Sequence, residues 1–224
     1  MTESNVGEIT LEMMRRELSS AVVCDALDGV GYVRQSPRVP LRPLTVSDDF
    51  VLVGRCQTTL WADMAHQDPH PYEKELLAID SCRPDDVLIA AAGGSTHSGV
   101  WGELLSTAAR NTGCLGVIVD GAVRDVRKMK EMDFPVFARG TCVYDSQNRQ
   151  RVIDYDVPVE IDGVRFSPGD LVFADVDGVV VVPQEIEERA IQAAWEKVHA
   201  ENVTRDAIKN GMKATDAYKK YGVL

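Results

Sequence analysis

Two short stretches hold the residue types that could do chemistry. One is glycine-rich and ends in an acid and two leucines: Gly93-Gly-Ser-Thr-His-Ser-Gly-Val-Trp-Gly-Glu-Leu-Leu105. The other sets two acids and a guanidinium within six residues, Asp120-Gly-Ala-Val-Arg-Asp125. The Asp125 carboxylate offers hard oxygen to Mg²⁺ or Mn²⁺, and magnesium keeps several waters, so one or two protein carboxylates suffice. Arg124, always charged, can hydrogen-bond a carbonyl or enolate oxygen beside such an ion. A plainer use of the pair is also open: a surface ion pair, with the acid complementing a helix N-terminus. A sparse acidic set of this kind excludes zinc-type ligation, which calls for histidine or cysteine.

The glycines of the first stretch invite a phosphate reading that the details oppose. No Gly-Lys-Ser/Thr follows, and bulky Trp101 stands where a dinucleotide fingerprint needs close backbone approach. They can instead bare the backbone amides of Leu104 and Leu105 at a helix start, where a small carboxylate would be held. A tight strand-to-helix turn would use the same glycines. His97, within this stretch, is a candidate for substrate contact. His66 and His70, in the 64–72 segment, belong either to a pocket-shaping element or to a plain surface loop, and His199 reads as exposed.

The elements that must position these residues alternate. Thr10 can cap a helix through Leu18, and Ser20 can start another over Ala21 to Leu27, with Gly29 as its stop. Three prolines between Ser36 and Pro43 make an extended connector. Then come a strand from Val51 to Leu60, a short helix from Tyr72 to Ile79, and a buried strand from Val87 to Ala92. A helix from Gly102 to Asn111, a strand from Gly116 to Val119, a helix from Val123 to Met132 and a strand near Val136 follow. This βαβαβ rhythm predicts an α/β fold. In such sheets ligands bind beyond the carboxyl ends of the parallel strands, which nominates both stretches and predicts that Glu103, Asp120, Arg124 and Asp125 converge. After residue 142 the pattern turns β-rich, with short strands at 157–161, 164–166, 171–174 and 179–182. From Glu185 it is helical to about Asn210, then from Thr215 to Tyr221. The many charges of this tail predict an arm outside the core, lying against the domain or a neighbouring subunit.

Composition narrows the function. With 224 residues, 24 Lys+Arg against 35 Asp+Glu and a net charge of −11, a non-specific nucleic-acid binder is excluded. A chain this long buries roughly 70% of its unfolded surface. The five cysteines are odd in number and never form C-x-x-C, which predicts reduced core residues rather than disulfides or a zinc knuckle. Met1 to Asn5 is polar and acidic, with no basic patch leading to an apolar core, and no apolar run reaches the ~18 residues of a membrane span. The expectation is a cytoplasmic protein with no membrane partner.

Three motifs resemble a known family: Gly102-Glu-Leu-Leu105; Gly113-x-x-Gly116-x-x-x-Asp120-Gly121-x-x-Arg124-Asp125; and Gly169-Asp170-x-Val172-x-Ala174-Asp175-x-Asp177-Gly178-Val-Val-Val-Val-Pro183. They are similar to the family joining the regulator of ribonuclease activity A to the class II 4-hydroxy-4-methyl-2-oxoglutarate / 4-carboxy-4-hydroxy-2-oxoadipate aldolases. The likeness spans roughly residues 20 to 224. Those aldolases carry an acid twenty positions before the Arg-Asp pair, and here residues 104 to 123 separate Glu103 from Arg124, with glutamate in place of the more familiar aspartate.

The resemblance implies a three-layer β/β/α fold like the swivelling phosphohistidine domain, a catalytic domain over 1–183 and a helical arm over 184–224 packing on a neighbouring subunit. It implies a homotrimer or dimer of trimers, with Mg²⁺ or Mn²⁺ as cofactor. Asp125 ligates the ion, Glu103 holds a metal-bound water, and Glu201 of an adjacent subunit also acts through water. Arg124 meets the substrate's keto oxygen, and the Leu104 and Leu105 amides take the pyruvate carboxylate. The implied reaction is retro-aldol cleavage of a 4-hydroxy-2-oxo acid to pyruvate, with oxaloacetate decarboxylation as a side activity. No lysine lies in either stretch, and no Schiff base is required. Two rivals stand: a non-catalytic regulator that binds an endoribonuclease, and another metal-dependent reaction on a small oxo or sugar acid.

Overall fold

The computed structural model describes residues 9–223. Met1 to Glu8, the stretch read above for a leader, and Leu224 lie outside the described residues. Helix α1 spans Leu11–Glu17, and the Thr10 hydroxyl caps it by accepting from the Met13 N–H at 3.3 Å. Helix α2 spans Ser20–Gly29, and its cap is Ser19 rather than the expected Ser20. Ser20 is the first helical residue; its N–H and hydroxyl both donate to Asp175, at 2.7 and 2.6 Å. The proline-rich connector ends in a two-residue edge strand, β1 (Arg42–Pro43), where proline costs no internal ladder bond.

The alternating rhythm follows as expected. Strand β2 is Leu52–Asp63, α3 Glu73–Asp80, β3 Asp86–Ala91 and α4 Glu103–Thr112. Next come β4 (Gly116–Val123), α5 (Val126–Glu131) and β5 (Val136–Thr141). Strands β2, β3, β4 and β5 pair in parallel, each with the next. Strand β4 runs four residues further than its hydrophobic run suggests, so Asp120 and Gly121 lie within the strand. Helix α5 starts only at Val126.

The β-rich stretch supplies β6 (Gln150–Tyr155), β7 (Val159–Ile161), β8 (Val164–Phe166), β9 (Leu171–Ala174) and β10 (Val179–Val182). Strand β6 was not expected, because Gln150-Arg-Val-Ile-Asp-Tyr155 has a weak apolar alternation and its pairing with β2 forms it. The long β2 is shared on its second edge. Its first residues pair antiparallel with β9 and its last with β6.

Alternate residues of β3 divide the core. Leu88 and Ala90 pack under helices α3, α4 and α5 with Ile79, Ala109 and Met129. Val87, Ile89 and Ala91 face the β7–β8 hairpin and meet Ile161 and Phe166. This is the expected three-layer β/β/α arrangement. A third cluster joins α1, α2 and the start of α6 (Glu187–Lys209) to Phe173, Val180 and Val182. Ala190, Ile191 and Ala194 of α6 are buried there, so the first turns of the charged tail are core, contrary to expectation. Their spacing of one, three and four residues gives a narrow apolar stripe that the surrounding charges conceal. A final helix, α7, spans Ala214–Tyr221. No described helix is long and apolar enough to cross a membrane. All five cysteines are free; Cys56, Cys82 and Cys114 are buried, while Cys24 and Cys142 are partly exposed.

Much of the third motif is scaffold. Buried Asp175 ties α2 to the β9–β10 turn, accepting from Ser20 and from the Asp177 and Gly178 N–H groups at 3.0 and 3.4 Å. Buried Asp170 accepts from the N–H groups of Ser167 and Gln184. Asp175→Ala strands several buried donors at once. An unfolding free energy lower by about 2–4 kcal/mol in denaturant titration is expected; an unchanged midpoint would show that this knot does not hold the fold.

Candidate active site

Parallel pairing brings the turns after β2, β3, β4 and β5 to one edge of the sheet. Two glycines let the first stretch lie directly on the Arg124–Asp125 turn. A Cβ on Gly99 would sit 2.7 Å from the Cys142 carbonyl oxygen and 3.0 Å from Arg124 Cβ, and one on Gly102 would sit 2.7 Å from Asp125 Oδ2. Main-chain bonds fix the contact: the Val100 N–H donates to Ala122 O at 2.9 Å and the Arg124 N–H to Trp101 O at 2.8 Å. Asp125 turns the chain into α5 with φ 58° and ψ 27°, a left-handed conformation that a non-glycine residue adopts at some cost.

These turns enclose a cleft of about 360 Å³ whose lining includes Leu104, Leu105, Arg124 and Asp125. The side chain of Asp125 is 47% exposed; its Oδ2 receives a long bond from the Glu103 N–H at 3.4 Å and lies 3.9 Å from Arg124 Nε. Glu103 opens α4 next to Asp125, and its carboxylate accepts from the Thr107 hydroxyl at 3.3 Å. Helix α4 has no side-chain cap, and its first intrahelical bond is donated by the Ser106 N–H, so the Leu104 and Leu105 amides have no intrahelical acceptor.

The structure adds cleft residues that the sequence did not single out, among them the titratable Tyr72, Glu75 and Asp145. Arg124 Nη2 donates to Asp145 Oδ2 at 2.6 Å, and Tyr72 Oη donates to Asp145 Oδ1 at 2.7 Å. Asp145 is held below the usual carboxylate range. Partial burial works against this, and the Gln147 N–H, the Tyr72 hydroxyl and the Arg124 charge outweigh it. Burial first, then the bond to Asp145, pushes Tyr72 up to about 12. Glu75, on the first turn of α3, is 6% exposed. Burial first and the Asp145 charge second push it from 4.5 up to about 8, with Arg124 opposing. The signal was available: β2 and β5 end on the same edge as β3 and β4, and Asp145 and Glu75 follow them.

Other expected residues lie elsewhere. Asp120 does not converge with Arg124. It is 2% exposed and receives Arg139 Nε at 2.5 Å, because it lies within β4 rather than in the turn after it. His97 pairs through Nδ1 with Asp63 at 3.0 Å, largely in solvent, and does not line the cleft. His66 and His70 are exposed. Their segment is anchored by buried Asp68, which accepts from Arg151 at 3.3 Å. Glu201, on α6, sits between Lys197 at 3.6 Å and Arg205 at 3.7 Å and lines a separate pocket with Thr204 and Ile208. Among the described residues no three His, Cys, Asp or Glu side chains form a metal cluster. A larger groove of about 770 Å³ lies between α1 and α6, where Arg55 and Glu187 pair with each other.

Comparison places this arrangement in a family. Residues 20–181 match the RraA-like family, described as Aldolase/RraA, and the chain belongs to it. A relative from Halalkalibacterium halodurans bearing the name "Putative 4-hydroxy-4-methyl-2-oxoglutarate aldolase" is 31% identical over 212 residues, 95% of this chain and 95% of that protein. An uncharacterized protein from Pseudomonas syringae pv. tomato superposes with a TM-score of 0.77 at 26% identity, covering 90% of this chain and 93% of that one. RraAS2 of Streptomyces coelicolor, described as an unusual member of the RNase ES inhibitor RraA protein family, does so at 0.75 and 30% identity, over 89% and 98%.

The sign of the Glu75 effect on stability is fixed. Its folded value of about 8 exceeds the ordinary 4.5, so the folded chain keeps a proton that the unfolded chain releases. Stability is therefore unaffected below that window and falls as pH rises through it, by at most roughly 1.4 kcal/mol per pH unit. Glu75→Gln removes the loss. Thermal melts of the two proteins should coincide near pH 4 and separate progressively toward pH 8, with the variant the more stable; parallel curves would contradict this reading of Glu75.

Proposed function

We propose that the chain is a divalent-metal-dependent lyase that cleaves a 4-hydroxy-2-oxo acid between C3 and C4 and releases pyruvate. The observation that carries this reading is the shared cleft, where a guanidinium and a carboxylate with little internal bonding face an uncapped helix N-terminus. The name borne by the H. halodurans relative supports the same chemistry.

The residues fit a hard ion. Asp125 presents a half-exposed carboxylate whose own bonds are long, and the set around it is oxygen, not sulfur or imidazole. Mg²⁺ or Mn²⁺ bound there would supply Lewis-acid stabilisation of negative charge on the keto oxygen. In this proposal Asp125 is the direct ligand, and Glu103 and the Glu201 of an adjacent copy act through water in a homotrimer or dimer of trimers. The Leu104 and Leu105 amides, with the positive end of α4 behind them, bind the substrate carboxylate. Arg124 donates to the keto oxygen and holds its charge as the enolate forms. Glu103 orients the water that takes the C4 hydroxyl proton. The same electron sink accepts the charge released when oxaloacetate loses CO₂, so weak decarboxylase activity accompanies cleavage. The setting proposed for this reaction is the cytoplasm.

Screening 4-hydroxy-2-oxo acids of varied length with added Mg²⁺ or Mn²⁺ tests the reading through pyruvate release. Release should stop with EDTA and return with metal. Asp125→Ala and Arg124→Ala should each lower kcat/KM by about 10²–10³ or more. Pyruvate release that survives Asp125→Ala or EDTA would overturn the site assignment. Silence across the panel would favour the inhibitor role named for the S. coelicolor relative, and turnover without pyruvate would indicate a different reaction on an oxo or sugar acid.

A further inference from the structure

We propose that Glu75 is a catalytic acid of this cleft, delivering the proton that converts the pyruvate enolate to pyruvate. The inference rests on the lyase reading and assigns that reading a step left open above.

The geometry carries it. Glu75 lies in the wall of the cleft that Arg124, Asp125 and Leu105 also line, and it is 6% exposed. Burial and the charges of Asp145 and Arg124 act on its carboxyl; no hydrogen bond to a described residue does. Glu75 and Gln150 also border a second, water-sized pocket of about 10 Å³, whose rim includes the exposed His70 and Glu73. Gln150 is 3% exposed; its Oε1 accepts from the Ser98 hydroxyl at 2.5 Å, while its Nε2 is a buried donor with no acceptor among the described residues. A water between them would accept from Gln150 Nε2 and donate to Glu75. The carboxyl would then have the cleft on one side and a proton route on the other.

The charges around Glu75 favour its neutral form. Asp145 and Arg124 face it from the turns after β5 and β4, and are bonded to each other. From its own segment, the Tyr72 hydroxyl donates to Asp145. Arg151, on β6, is held by Asp68, and Lys74 donates to the Ile153 carbonyl. Among the described residues no cation pairs with Glu75, whose proton stays on until about pH 8.

The step balances. Cleavage breaks C3–C4, forms the carbonyl at C4 and leaves the electron pair in the enolate. The Glu75 O–H bond then breaks as C3–H forms and the C2 carbonyl is restored. The proton lost earlier by the C4 hydroxyl returns to the Glu75 carboxylate through water, so no net proton is gained or lost.

Exchange of pyruvate C3 hydrogens for deuterium, followed by NMR in D₂O with the full chain and Mg²⁺ or Mn²⁺, isolates this step from C–C cleavage. Wild type should show a limb near pH 8 of opposite sense in the two reactions: exchange, which begins with proton removal by the Glu75 carboxylate, rises toward it, and cleavage, which uses the protonated acid, falls above it. Glu75→Gln should bind pyruvate within about threefold by calorimetry yet lose exchange and cleavage by about 100-fold or more, together with that limb of the pH profile. Infrared difference spectra should show a neutral carboxyl band at neutral pH in wild type that is missing from the variant. Should glutamine disturb folding, Glu75→Asp, which keeps the acid but draws it back, should lose exchange about tenfold and regain part of the pH limb. Exchange in a folded variant equal to wild type within threefold overturns the role of Glu75 and leaves the lyase standing. Wild type that neither cleaves nor exchanges overturns both.

Discussion

Four parallel strands, β2 to β5, impose the constraint on which the site depends. Running the same way, they must end on one edge, and the helices that return the chain must begin there. The turn after β3 and the start of α4 offer amides, the turn after β4 offers Arg124 and Asp125, the turn after β5 offers Asp145, and the first turn of α3 offers Glu75. No two of these contributions are local in sequence. They meet because pairing register and crossover direction leave them no alternative. Strand β2 closes the parallel set on its second side, where its first residues pair with β9 and its last with β6.

Within that frame the charge distribution decides what the cleft can hold. Its lining carries one guanidinium, Arg124, against Asp125, Asp145 and Glu75. Asp145 binds Arg124 closely and fixes the direction of its remaining donors, while Asp125 contacts it only at 3.9 Å. One acid therefore serves the guanidinium and the other remains free for a ligand. The left-handed backbone at Asp125 is part of this division, because it turns the chain into α5 at that residue and leaves the carboxylate beside Gly102. An arginine with two equally short carboxylate partners would be neutralised in place and less available to a developing enolate.

The sequence made the parallel half of the fold legible because each strand there is a continuous apolar run and each helix has its own period. The Gly102–Leu105 and Arg124–Asp125 turns could be placed for the same reason. Strand β6 escaped because Gln150 to Tyr155 has only a weak apolar alternation and takes its conformation from β2. Asp120 was misplaced because a buried ion pair with Arg139 extends β4 past the end of its hydrophobic run. The start of α6 escaped because three small or branched residues among charges do not look like a core face until α2 packs on them. Asp145 and Glu75 were missed for a different reason. The rule about strand ends was applied to two turns, although the topology makes it hold for four.

The buried acids show which residues the fold itself uses. Among the described residues, five carboxylic side chains are buried: Asp68, Glu75, Asp120, Asp170 and Asp175. Asp68 and Asp120 face arginines, whereas Asp170 and Asp175 accept main-chain or serine donors that join distant segments. For these four, desolvation is offset by bonds the fold uses, and three of them, Asp120, Asp170 and Asp175, belong to the motifs that carry the family resemblance. Glu75 has burial without such compensation, and its proton is held by its surroundings rather than displaced by a cation. Burial without compensating bonds, in the wall of a cleft, is the pattern that marks functional rather than structural acids. The buried motif acids thus build the scaffold, whereas Glu75, outside the motifs, stands in the wall of the cleft.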